Sequence, residues 1–125
     1  MPIESRIDES INTIIRTVSG KLSLIAIQDA FNSSLSMEEF KKDMHVIWDL
    51  READATDLVT VDIPSIVNFM SINRDTRGTD YKIALVALKE LVLGLSILFD
   101  SHKTDLPITI KAFTDMDDAF KWIKS

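Results

Sequence analysis

Two nearly continuous apolar runs constrain the fold of this chain more than any other feature. They are 44-MHVIWDL-50 and 81-YKIALVAL-88, in which hydrophobic residues mostly follow one another instead of alternating with polar ones. A strand with one face in water alternates, whereas a strand covered on both faces is a nearly continuous apolar run. Both runs are therefore predicted to be covered strands, and the first is predicted to be central in its sheet.

The residues before the first run favour a hairpin and a helix. The segments 3-IESRI-7 and 13-TIIRTVS-19 flank the polar stretch 8-DESIN-12, a pattern typical of two antiparallel strands and their turn. Ser23 can then cap a helix over about residues 24–34.

Helical patterns also follow both apolar runs. Thr60 and Asp62 are candidate caps, and Pro64 suits the first turn, of a helix that is predicted to end near Asn73. After the second run, a helix packed directly on that strand is predicted for 89-KELVLGLSILFDS-101.

The C-terminal residues complete the pattern. Apolar and polar residues alternate in 107-PITIKAF-113, which predicts a half-exposed edge strand. Thr114 with Asp117 has the spacing of a capping box at the start of a last helix.

The order of elements is therefore ββαβαβαβα, which predicts an α/β fold. Strands that alternate with helices imply parallel pairs joined by right-handed crossovers. We expect a mixed five-stranded sheet, with an N-terminal antiparallel hairpin followed by parallel βαβ units, and about four helices. At 125 residues, the chain is expected to form a single domain over residues 1–125.

Composition excludes several classes of function. The formal net charge of -6 argues against nucleic acid as a partner, because phosphate backbones are bound by clustered Lys and Arg. The absence of cysteine excludes disulfides, thiol nucleophiles and Cys-ligated metals. The N-terminus has no signal-peptide pattern, and the longest apolar stretch, 83-IALVAL-88, is far too short to span a bilayer. A cytoplasmic protein without an integral membrane segment is expected.

Catalytic and cofactor motifs are missing from the sequence. The glycines are Gly20, Gly78 and Gly94, so neither GxGxxG nor a P-loop can be written. His45 and His102 have no metal-ligand spacing and are expected at a strand entrance and at a helix C-terminus. No catalytic residue, cofactor or metal site is predicted.

Asp49 and Arg51 lie where an open parallel sheet binds its ligands, beyond the carboxyl end of a strand. Asp49 can act as a general base or accept a hydrogen bond from a ligand, and Arg51 can pair with an anion. The alternative is structural, with Asp49 accepting local backbone hydrogen bonds and Arg51 solvated.

Arg74 and Arg77, in 72-INRDTRGTDY-81, also suggest an anion site. They precede the second covered strand, so they are expected at the rim opposite the ligand crevice. Cations at the C-terminus of a helix are the ordinary interpretation of this pair.

Four segments together resemble the bacterial SpoIIAA-like family, also described as STAS/SEC14-like. They are 17-TVSGKLS-23, 46-VIWDLREAD-54, 83-IALVAL-88 followed by Gly94, and 113-FTDMDDAFKWI-123. The resemblance spans nearly the whole chain. It implies a small α/β domain related to anti-sigma-factor antagonists and to lipid-binding SEC14 domains, with no enzymatic activity.

The antagonists of that family carry a phosphorylatable serine, in an Asp-Ser-Ser-Gly type motif, at the N-terminus of the helix after the third strand. The corresponding stretch here, 56-TDLVTVDIPS-65, lacks the motif. Thr60 is the nearest hydroxyl and therefore the candidate for regulatory phosphorylation, with helix capping as its alternative role.

Two functions follow as hypotheses. The first is a non-enzymatic domain that binds a small apolar or lipid-like ligand between the sheet and the helix containing Gly94, although a simple core explains the same apolar residues. Its candidate ligand-binding residues are Trp48, Asp49, Arg51, Leu91, Gly94 and Leu95.

The second hypothesis is a regulatory module that interacts with a kinase-like protein partner. It would use the acidic stretch 51-READATD-57 and the N-terminus of the helix near Thr60, where negative charge is favourable. Exposed strands at the edges of the sheet make a homodimer a further candidate assembly.

Overall fold

The computed structural model of the protein describes residues 3–54, 62–90 and 108–125. Five strands, four α-helices and one 3-10 turn (Glu9–Ile11) lie in these ranges. In chain order, the strands and α-helices are β1 (Ile3–Asp8), β2 (Thr13–Lys21), α1 (Leu24–Leu35), β3 (His45–Asp54), α2 (Asp62–Ile72), α3 (Arg74–Arg77), β4 (Lys82–Val86), β5 (Thr109–Phe113) and α4 (Met116–Lys124).

The strands form one sheet in the order β1-β2-β3-β4-β5. β1 pairs with β2 in antiparallel fashion, and the remaining neighbours are parallel. The predicted mixed sheet, its N-terminal hairpin and the central position of β3 are confirmed. β1 and β5 form the two edges of the sheet, as the alternating pattern of residues 107–113 predicts for β5.

Both faces of the central strands are covered, which explains the continuous apolar runs. One face carries a core cluster that includes Ile14 and Val46 and packs against α1 and α2. The other face carries Ile47, Ala84 and Val86, with Ala119 and Ile123 of α4 packed on them. Successive residues of β3 and β4 therefore enter different cores. The described parts of the chain contain no helix long and apolar enough to cross a membrane.

β3 is longer than the sequence predicts, because it continues to Asp54 instead of ending at Leu50. A register shift between Thr17 and Ser19 lets β2 follow it, so that Gly20 pairs with Ala53 beyond the shift. Backbone pairing with β2 therefore extends β3 into the first residues of the acidic stretch 51-READATD-57.

Two helix caps can be compared with the sequence. The Ser23 side chain accepts a hydrogen bond from the Ala26 backbone N–H at 3.2 Å, so the predicted cap of α1 is confirmed. At α4, Asp115 is the cap, and its carboxylate accepts from the Asp117 N–H at 2.7 Å. The predicted Thr114 cap is therefore wrong by one residue, because the stronger acceptor lies next to it. The helix predicted over residues 89–101 falls outside the described residues beyond residue 90.

Hydrogen bonds of Asp43 join the loop before β3 to the loop before β4. Asp43 has a positive φ of 66°, and its carboxylate accepts the Thr79 N–H at 2.8 Å and the Asp80 N–H at 3.1 Å. Its own N–H donates to the Arg77 carbonyl at 3.0 Å. Gly78 has φ 107° and ψ 176°, a conformation essentially restricted to glycine, and a Cβ there would collide with Asp43.

We expect Gly78→Ala to destabilise the fold strongly, because backbone strain and a clash with Asp43 act together. The free energy of unfolding, measured by urea denaturation, should fall by about 3 kcal/mol. Gly20→Ala is the matched control, since Gly20 also has a positive φ, 80°, but no atom within 4 Å of the added Cβ. That variant should lose about 1 kcal/mol. Equal losses in the two variants would show that the contact with Asp43 has no energetic consequence.

Candidate functional site

An apolar cavity of about 100 Å³ lies between the sheet and helices α1 and α2. The two helices line it from one side with Leu24, Ile27, Phe31, Ile66, Phe69 and Met70. Phe31 and Phe69 meet edge to face, with ring centroids 4.9 Å apart and planes at 73°, and so join α1 to α2 beside the cavity.

The sheet lines the opposite side of the cavity with alternate residues of its inner strands. β3 contributes Val46, Trp48 and Leu50, and β4 contributes Ile83 and Leu85. The period of two that places Val46, Trp48 and Leu50 on one face is the ordinary geometry of a strand. Trp48, a predicted ligand-binding residue, therefore lines this cavity.

Two arginines interrupt the apolar lining. Arg16 of β2 and Arg77 of α3 both border the cavity, and they are only 2% and 3% exposed. Charged side chains are almost never buried to this extent unless they are paired with an opposite charge. The two guanidinium groups are therefore the most unusual chemical feature of the site.

Arg16 is held by hydrogen bonds from one of its terminal nitrogens. Its Nη1 donates to the Ser5 hydroxyl at 2.8 Å and to the Ala30 carbonyl at 2.9 Å, while its Nε has no hydrogen-bond partner. The guanidinium carbon lies 5.1 Å from the centroid of the Trp48 ring. Burial, and then the positive charge of Arg77, lower the pKa of Arg16 to about 10, so it stays protonated at neutral pH.

Arg77 lies close to two aromatic rings. Its guanidinium carbon lies 3.9 Å from the centroid of the Tyr81 ring and 5.9 Å from that of Phe40. Neither Nη1 nor Nη2 has a hydrogen-bond partner. Burial lowers the pKa of Arg77, while Tyr81 and the carboxylate of Asp43 act in the opposite direction.

Sequence reasoning missed Arg16, and it named Arg77 as a candidate for an anion site but preferred an ordinary role at the end of a helix. Arg16 falls between Ile14 and Val18 in the register of β2 that faces the core, so a charged residue at an inward position was the available signal. Arg77 was expected at an outer rim with Arg74. Arg74 is exposed as expected, but the prediction is wrong for Arg77, which is buried.

Asp49 and Arg51 are bound to each other. Arg51 Nε and Nη2 donate to Asp49 Oδ1 and Oδ2, both at 2.9 Å, and the Arg51 N–H donates to Oδ1 at 3.2 Å. The hydrogen bond from the Arg51 side chain is the main reason that the pKa of Asp49 is lowered. A carboxylate with a lowered pKa is a weak base, so this geometry does not favour acid–base chemistry.

The structure does not bring all the predicted ligand-binding residues into one place. Asp49 and Arg51 border a separate polar cleft with Thr17 and Glu52, while Trp48 faces the apolar cavity. Adjacent residues of a strand point to opposite faces, which is why Trp48 and Asp49 are separated. The remaining predicted residues, Leu91, Gly94, Leu95 and Thr60, lie outside the described residues.

His45 has a structural role at the start of β3, where the sequence places it. Its Nδ1 accepts a hydrogen bond from the Lys82 N–H at 2.9 Å, which joins β3 to β4. Burial is the main reason that its pKa is lowered, so the neutral ring is favoured. Within residues 3–54, 62–90 and 108–125, no group of His, Asp and Glu side chains has the geometry of a metal site.

Comparison with known structures identifies the fold. A crystal structure of an uncharacterised protein of the DUF3478 family from Shewanella loihica PV-4, described as having a SpoIIAA-like fold, superposes with a TM-score of 0.59. The match covers 97% of this chain and 93% of the other, at 17% sequence identity. The fold is SpoIIAA-like. No family model and no curated protein matches the sequence.

The SpoIIAA-like fold confirms what the four sequence segments predict about architecture. At 17% identity, the likeness concerns the fold alone and assigns no ligand or residue role.

We expect the carboxyl pKa of Asp49, measured by NMR titration, to lie below 3.8 and to rise towards it in Arg51→Gln, because Arg51 stabilises the carboxylate. Asp8 is the internal control, since its pKa is lowered mainly by the Ser10 hydroxyl. It should titrate alike in both proteins. A carboxylate with a lowered pKa stabilises the fold above its unfolded pKa, and the effect is lost as the pH falls through the folded value. An Asp49 titration unchanged by Arg51→Gln would contradict the ion pair.

Proposed function

We propose that the protein is a non-enzymatic binding domain that holds a small apolar or amphipathic ligand in the cavity between the sheet and helices α1 and α2. The observation that carries the proposal is the cavity itself, about 100 Å³ in a core that is otherwise covered on both faces of the sheet. Concave, mostly apolar spaces with a few polar groups are the usual form of small-molecule sites.

The lining of the cavity favours a ligand over water as its occupant. The cavity is only partly enclosed and its lining is almost entirely apolar, so without a ligand that apolar surface stays in contact with solvent. A ligand that fills the space removes the surface from water, which is favourable by about 25 cal/mol per Å² of apolar area.

The same volume limits the size of the ligand. Since one water-sized group needs about 10–15 Å³, there is room for about seven to ten such groups. A chain of that many carbon atoms, or a substituted aromatic ring, suits the space. A long membrane lipid would have to extend beyond the residues that line it.

The proposed site differs in position from the one expected from the sequence. It uses Trp48 but lies against α1 and α2, and contributions from Leu91, Gly94 and Leu95 stay a prediction. The regulatory interaction module also stays a prediction, since Thr60 and residues 55–57 are outside the described part of the chain. The Asp49–Arg51 ion pair supports a binding domain over an enzyme, because it occupies the groups that chemistry would need.

A larger side chain that fills the cavity should weaken ligand binding strongly. We expect Ile27→Trp, which adds bulk to a lining residue of α1, to weaken binding of the neutral fluorescent probe naphthalene, which is small enough for the space, at least tenfold. The matched control is Ile25→Trp, which adds the same group to the same helix at a position 70% exposed to solvent. It should bind the probe like the unmodified protein. Equal binding by all three proteins, measured by fluorescence titration, would rule out this cavity as the site.

A further inference from the structure

The arginines that border the cavity are incompletely satisfied. Among the described residues, three buried nitrogens have no hydrogen-bond partner, namely Arg16 Nε, Arg77 Nη1 and Arg77 Nη2. An unpaired buried donor costs free energy, and the cost is larger when the group is charged. The described part of the chain therefore carries buried donors for which it supplies no acceptor.

Aromatic contacts explain only part of this arrangement. The guanidinium groups of Arg16 and Arg77 lie near Trp48 and Tyr81, which provides cation–π attraction through the faces of the rings. The contact with a ring leaves Arg16 Nε and both terminal nitrogens of Arg77 without a hydrogen-bond acceptor. A carboxylate or phosphate supplies such acceptors.

The described carboxylate that acts on this pair, Asp43, is hydrogen-bonded elsewhere. Asp43 attracts Arg77 electrostatically, but its Oδ1 accepts the backbone N–H groups of Thr79 and Asp80. Arg16 and Arg77 also disfavour each other's charge, as the effect of Arg77 on Arg16 shows. An anion within reach of both would relieve the repulsion and supply the missing acceptors.

We propose that Arg16 and Arg77 form an anion subsite inside the cavity, which binds the carboxylate or phosphate head group of a short amphiphile. This inference rests on the proposed function and specifies its ligand class. The head group accepts hydrogen bonds from the unpaired guanidinium nitrogens, and the apolar tail lies against Ile27, Phe31 and Phe69. Arginine suits this role because its planar fork binds carboxylate and phosphate in bidentate fashion.

The proposal is tested by displacement of naphthalene with three compounds. Octanoate carries both the head and the tail, octan-1-ol carries the tail with a neutral head, and acetate carries the head alone. A hydrogen bond to a charged group contributes enough for octanoate to bind about ten to one hundred times more tightly than octan-1-ol. Acetate should displace the probe only weakly. Monooctyl phosphate and inorganic phosphate repeat the comparison for the other head group.

Variants of Arg77 test whether the preference for octanoate over octan-1-ol comes from the subsite. Arg77→Met should lower the octanoate-to-octanol affinity ratio at least tenfold while the neutral probe still binds. It should also raise the urea midpoint of the ligand-free protein, because an unpaired buried charge is replaced by an apolar side chain. Arg74→Met is the matched control, since Arg74 is exposed on the same short helix, and it should keep the ratio. Arg77→Gln is the second variant if Arg77→Met does not fold. It should lower the octanoate-to-octanol affinity ratio as well.

Each contrary result has a separate meaning. Equal binding of octanoate and octan-1-ol, or a ratio unchanged in both Arg77 variants, overturns the anion subsite and leaves the apolar cavity standing. Acetate or inorganic phosphate binding as tightly as its octyl counterpart also overturns the inference, because it indicates a site for free anions. If neither the probe nor any octyl compound binds, the proposed function itself fails.

Discussion

The central strand β3 is the constraint on which the rest of this structure depends. It pairs in parallel with β2 on one side and with β4 on the other, and its successive side chains enter two different cores. Ile47 packs towards α4, while Val46 and Trp48 face α1 and α2. A strand in this position must be apolar on both faces, and it separates the cavity on one face from the close-packed side of the other.

Much of the architecture could be predicted from the sequence because it is written in local patterns. The hairpin of β1 and β2, the cap at Ser23 and the covered strands follow from alternation, turn residues and apolar runs. The extension of β3 to Asp54 could not be predicted in this way, since it depends on pairing with β2 past a register shift. Local propensity does not contain that information.

The site was less accessible to prediction than the fold. Asp49 and Arg51 suggest a site in the sequence because they are polar residues at the end of an apolar run. In the structure, the two side chains form an ion pair with each other. The inward neighbours of Arg16 in its strand are apolar, so the sequence predicts a strand there and no site. Arg77 lies near the end of a helix, where the sequence predicts an ordinary surface cation. Whether a cation is buried depends on tertiary packing, which sequence spacing does not reveal.

The hydrogen bonds between Asp43 and the loop before β4 have a consequence for the evolution of the site. The carbonyl of Arg77 is fixed by the Asp43 N–H, and Gly78 admits that approach only because it has no side chain. The orientation of a cavity residue thus depends on two positions outside the lining. Among homologues that keep an arginine at position 77, we expect Asp43 and Gly78 to be inherited with it, as one unit rather than as three independent positions.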